Sequence, residues 1–155
     1  MKPLREALTL LAVLGPIAYL CLYWQSIPAI LPTHFGLDGQ PNGYSSKSFV
    51  WITVAVSIGM YVFLSVIARY PKSFNLPAPV GDPDRPRCEA LGVELLAWLR
   101  LEVACLFAYI PWSTVRVATH QSTGLGVAFV FVSSIAILFT VFFYIWRMMR
   151  GQPSK

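Results

Sequence analysis

Residues 49–68 read FVWITVAVSIGMYVFLSVIA, twenty positions without a charge, bracketed by Lys47 and Arg69. About 20 apolar residues at roughly 1.5 Å each cross the hydrocarbon core of a bilayer. Outward from this run, residues 7–27 form a second apolar stretch, with a kink expected at Gly15-Pro16. Residues 124–147 form another. The stretch at 92–117 is less uniform, because Arg100 and Glu102 interrupt its first turns and Pro111 sits late. This helix is expected to start in water near Glu89. Arg100 then snorkels at headgroup level, or pairs across the bundle with Glu6, as Glu102 would with Arg69.

Composition agrees with lipid burial. Of 155 residues, 56% are hydrophobic and 12% charged, whereas a soluble domain carries about a quarter charged. The expected fold is an all-α integral membrane protein, residues 1–155 as one domain. Four transmembrane helices bundle together, with a folded extracytoplasmic loop between the first two. The net charge of +5 sits at the ends of apolar runs, with no basic stripe interleaved with aromatics, so nucleic-acid binding is excluded. Lys2 and Arg5 before an apolar run resemble a signal peptide. The run is too long and lacks a small-x-small cleavage pattern, so it reads as a retained first helix. Cys21, Cys88 and Cys105 form no C-x-x-C motif, and Cys21 and Cys105 read as small buried apolar residues.

The basic residues set the orientation. Lys2, Arg5, Arg69, Lys72, Arg85, Arg87, Arg147, Arg150 and Lys155 fall on one side, and only Lys47 and Arg116 on the other. The positive-inside rule puts both termini and the Pro-rich loop 70–88 in the cytoplasm. Loop 28–46 and the turn near 116–124 then face outward.

Loop 28–46 is the most informative connection. Pro28 and Pro32 stiffen its start. Asp38-Gly39 and Asn42-Gly43 are turn dipeptides around an extended Thr33-His34-Phe35, which describes a small hairpin. Ser45 or Ser46 is placed to cap the next helix. Lys47 sits at that helix N-terminus, where the macrodipole disfavours a cation by about 0.3–1 kcal/mol. Asp38, an anionic lipid or a ligand is expected to offset it. His34, Asp38 and His120 are weak candidates for a metal site or acid–base chemistry. The competing reading is that His34 and Asp38 bond to the loop and hold its shape. There is no zinc-protease motif, phosphate loop or Ser–His–acid set, so no cofactor and no enzyme activity are expected.

The pattern Pro32-Thr33-His34-Phe35, Gly39, Pro41-Asn42-Gly43 and Ser46-Lys47 resembles a bacterial membrane domain of unknown function. That domain forms the N-terminal module of SdpI-like immunity proteins. The likeness extends to Tyr70-Pro71, Ser73-Phe74-Asn75, Pro77, Leu95-Leu96, Trp98-Leu99, Arg100-Leu101, Phe107-Ala108-Tyr109-Ile110 and Trp112. It implies a multi-pass protein of the bacterial cytoplasmic (inner) membrane. The family commonly has Asp where Asn42 stands, and the sequence ends after four helices without the C-terminal module. Immunity itself is therefore not carried over. The expected function is non-enzymatic: a sensor or protective protein recognising an envelope-active peptide or lipid-like ligand through His34, Asp38, Asn42 and Lys47. The alternatives are a metal-dependent protein and a scaffold subunit binding a membrane-protein partner. No motif fixes an oligomeric state.

Overall fold

A computed structural model describes residues 2–79 and 81–150; Lys155, counted above among the basic residues, lies outside them. Four long helices dominate: α1 (Lys2–Tyr23), α2 (Val50–Ile67), α3 (Arg85–Ala118) and α4 (Val127–Met149). Three are long and apolar enough to cross a membrane, over Lys2–Tyr23, Lys47–Ile67 and Ala128–Met149. The protein is thus a mostly helical membrane protein. α3 has 34 residues, about 51 Å at 1.5 Å per residue, and residues 85–102 carry Arg85, Arg87, Glu89, Glu94, Arg100 and Glu102.

The helices are not the whole fold. Between α1 and α2 the chain forms an antiparallel hairpin of β1 (Ile30–Phe35) and β2 (Pro41–Ser46). Asp38-Gly39 makes its turn, with Gly39 at φ +76°, a conformation glycine adopts without steric cost. Asn42-Gly43 makes no turn. It lies within β2, where Gly43 faces His34 so closely that a Cβ would stand 3.0 Å from the His34 Cβ. Ser45 and Ser46 are strand residues as well. Ser46 Oγ accepts no capping bond, and a short 3-10 turn, Lys47–Phe49, leads into α2.

α3 is the central element and packs on α1, α2, α4 and β1. Near the hairpin the core is Leu20, Ile27, Leu31, Val50, Val54 and Val115. At the opposite end Ala78, Cys88, Leu91, Tyr144 and Met148 form a second core. Cys88 is therefore the buried cysteine, while Cys21 and Cys105 lie exposed on the outside of the helices. That reverses the expectation, because helix faces turned toward lipid are as apolar as the interior. Pro16 sits inside α1 and Pro111 inside α3, both buried, and each helix continues through its proline.

Candidate functional site

The hairpin is clamped to the helices at both of its ends. At its base, Lys47 Nζ donates to the carbonyls of Trp24 (2.9 Å) and Ile27 (3.4 Å). The ammonium also lies 4.5 Å from the centre of the Trp24 ring, which meets Trp51 of α2 at 5.9 Å. These carbonyls follow the last turn of α1, where the macrodipole is negative and cations are favoured. The partner of Lys47 is therefore the chain leaving α1, not Asp38. Asp38 serves the turn: its Oδ1 accepts the Gln40 N–H at 3.0 Å, an Asx turn.

The tip is held from across the bundle. The Leu125 N–H donates to Gly39 O at 3.0 Å, joining the hairpin to the α3–α4 turn. The two backbones approach so closely that a Cβ at Gly124 would stand 2.4 Å from that oxygen. Between base and tip, Leu31 is 1% exposed and Pro32 is buried; both line a recess with Ile110 and Thr114 of α3.

What the hairpin presents outward comes from its other strand. β1 packs on α3, while among the described residues β2 pairs with β1 alone. Asn42, Tyr44 and Ser46 alternate as exposed residues along β2, as the two-residue period of a strand dictates. The exposed His34 meets Asn42 through Nδ1 and Oδ1. Leu37 at the tip is 101% exposed. Leu37 and Tyr44 were not legible as site residues, since neither belongs to a chemical motif. Their signal is an apolar residue beside the Asp38-Gly39 turn and an aromatic one two positions before the strand ends.

The structure thus brings His34 to Asn42, and Asp38 to its own turn. It does not bring His34, Asp38 and His120 together: no three His, Cys, Asp or Glu side chains among the described residues are grouped to hold a metal ion. His120 follows α3 at φ +58°.

The charges in the helices form a separate site. Arg100 pairs with Glu6 at 3.2 Å and donates to Ser65 Oγ at 2.8 Å, while the Tyr61 hydroxyl donates to Glu6 at 2.7 Å. One carboxylate and one guanidinium thereby tie α1, α2 and α3 together. Glu102 accepts from Thr140 of α4 at 2.6 Å rather than pairing with Arg69.

A helical membrane protein with a hairpin clamped over one end of its helices is the class this arrangement defines. Residues 11–60 match the family model of a domain of unknown function, DUF1648. That segment runs from the middle of α1 through the hairpin into α2. An uncharacterized protein of Archaeoglobus fulgidus is 35% identical over 79 residues, 46% of this chain and 43% of that protein. The match therefore spans less than half the length of the curated relative. No solved structure matches the chain.

Proposed function

We propose that this protein is a four-span, non-enzymatic receptor of the bacterial cytoplasmic membrane that takes up an extended peptide as a third strand along β2. In this reading both termini and the Pro-rich loop are cytoplasmic and the hairpin is extracytoplasmic, in keeping with the distribution of basic residues. α3 is the fourth span, crossing from about Leu95 to Ala118, with its charged first turns standing in the cytoplasm. The observation that carries the reading is the free edge of β2. Its backbone has no partner but β1 among the described residues, apart from the Lys47 N–H bonded to Ala29 O beyond the strand end. Such an edge is a template for strand addition. The clamps at Lys47 and Gly39 hold it ready, so little ordering cost falls on binding. Tyr44 and Leu37 supply apolar contacts, and the His34–Asn42 pair supplies polar ones. The resemblance to the N-terminal module of immunity proteins points to a peptide acting in the envelope as the partner.

The test is selection of nine-residue peptides on the protein in nanodiscs, followed by amide exchange. Bound peptides should slow exchange at residues 41–46 and lose binding when alternate peptide nitrogens are methylated. Peptides that bind equally well after methylation, or that protect other amides, would refute strand addition. If no peptide is enriched over empty nanodiscs but a membrane protein co-purifies in a hairpin-dependent way, the scaffold reading takes its place.

A further inference from the structure

The opposite end of the molecule carries a second recess, unrelated to the hairpin. Residues after α2 fold back across α3 as a fixed wall. Arg85 holds it, donating to the carbonyls of Ala78 (2.9 Å), Phe74 (2.8 Å) and Lys72 (3.1 Å) while Glu89 steadies its Nε at 3.0 Å. Phe74 lies directly on Gly92, where a Cβ would come within 2.8 Å of the ring. Among the described residues α4 packs chiefly on α3 and makes no substantial contact with α2. The gap left between α2 and α4 is a cavity of about 600 Å³, bounded by Ile67, Phe74, Leu76, Leu95, Leu96 and Met148. That is the size of a small-molecule pocket, roughly 300–1,000 Å³, and its lining is apolar apart from the exposed Asn75.

Its position narrows the occupant. Ile67 ends α2 and Met148 lies in the last turn of α4, so the cavity sits where the apolar spans meet the headgroups. The turn that follows α2 forms an adjoining recess lined by Arg69, Tyr70, Pro71, Lys72 and Ser73. Arg85, Arg87 and Arg100 are all in ion pairs, whereas Arg69 and Lys72 have no acidic partner among the described residues. Both are exposed. An apolar slot at acyl-chain depth beside two uncompensated cations matches a single ligand chemistry, since basic pockets between membrane helices attract anionic headgroups.

We propose that this cleft is a site for an anionic glycerophospholipid, with one acyl chain between α2 and α4 and the phosphate between Arg69 and Lys72. The lipid would fill the space that α2 and α4 leave over α3 and would brace the Pro-rich wall. The proposal is independent of peptide binding at the hairpin.

The experiment is native mass spectrometry of the full chain in detergent, titrated with dioleoylphosphatidylglycerol or dioleoylphosphatidylcholine. The wild type should bind the glycerol lipid at least tenfold more tightly. R69Q/K72Q should lose that preference, R69K/K72R should keep it, and L96W should weaken both lipids by filling the slot. Inorganic phosphate should not compete more than chloride at equal ionic strength. Equal binding of the two lipids, an unchanged preference in R69Q/K72Q, or specific competition by phosphate would overturn the assignment. If L96W fails to fold, the exposed pair decides the matter alone.

Discussion

Replacing Lys47 by Met removes the charge and the three donors but keeps the length of the side chain. One charge-assisted bond at 2.9 Å to Trp24 O is lost, together with a weak one at 3.4 Å to Ile27 O. A bond to a charged group contributes about 1.5–3 kcal/mol, and an exposed cation–π contact about 0.5–1 kcal/mol. Placing a cation at the start of α2 costs about 0.3–1 kcal/mol, and its proximity to the end of α1 returns a similar amount. The net loss in Lys47→Met is therefore about 2–4 kcal/mol. For a chain of this length each kcal/mol corresponds to roughly 2–4 °C, so Tm should fall by about 4–16 °C in detergent. Trp24 and Trp51 provide a second readout, since their fluorescence should shift as the base of the hairpin loosens. Asp38→Asn is the control. An amide oxygen can still accept the Gln40 N–H, so that variant should stay within about 0.5 kcal/mol of wild type. Equal losses in the two variants would favour a Lys47–Asp38 pair over the clamp, and no loss in Lys47→Met would refute the clamp outright.

Three further outcomes are expected. Arg100→Met should cost about 2 kcal/mol, below the 3–5 kcal/mol of a fully buried pair, because the Glu6 side chain is 40% exposed and partly screened; adding Glu6→Gln should cost less than the sum of the single changes in thermal unfolding. Gly124→Ala should cost about 1–3 kcal/mol and speed exchange of the Leu125 amide, because its methyl would press on the Gly39 backbone, whereas Gly15→Ala, with open space around it, should cost nothing. Burial, followed by the nearby Asp84 carboxylate, holds the Cys88 thiol above its usual pKa. Maleimide should therefore reach Cys88 only on unfolding, and raising the pH from 7 to 8.5, which speeds a free thiol on the order of tenfold, should leave its labelling slow.

Much of the fold can be read along the chain because it rests on local composition. The apolar runs around 7–27, 49–68 and 124–147 correspond to the three apolar helices. The Asp38-Gly39 turn needs nothing beyond its own residues. Other features depend on residues far apart in sequence. Lys47 finds carbonyls 23 and 20 positions earlier, which no dipeptide signal encodes. Asn42-Gly43 has turn chemistry, yet becomes a strand because His34 lies opposite and needs the space a glycine leaves. Gly124 looks like an ordinary loop residue until Gly39 is seen against it. Arg100 and Glu102, two apart on one helix, reach different partners, Glu6 on α1 and Thr140 on α4, and only the packing of α3 between those helices decides which.

The most direct test of the account is the sidedness of the hairpin, by cysteine labelling in intact cells. With Cys21 and Cys105 changed to Ser and the buried Cys88 kept, Leu37→Cys and Asn75→Cys are each treated with a membrane-impermeant maleimide. Leu37→Cys should be labelled at once and Asn75→Cys only after permeabilisation. Labelling of Asn75→Cys alone in intact cells would put the hairpin in the cytoplasm and contradict it.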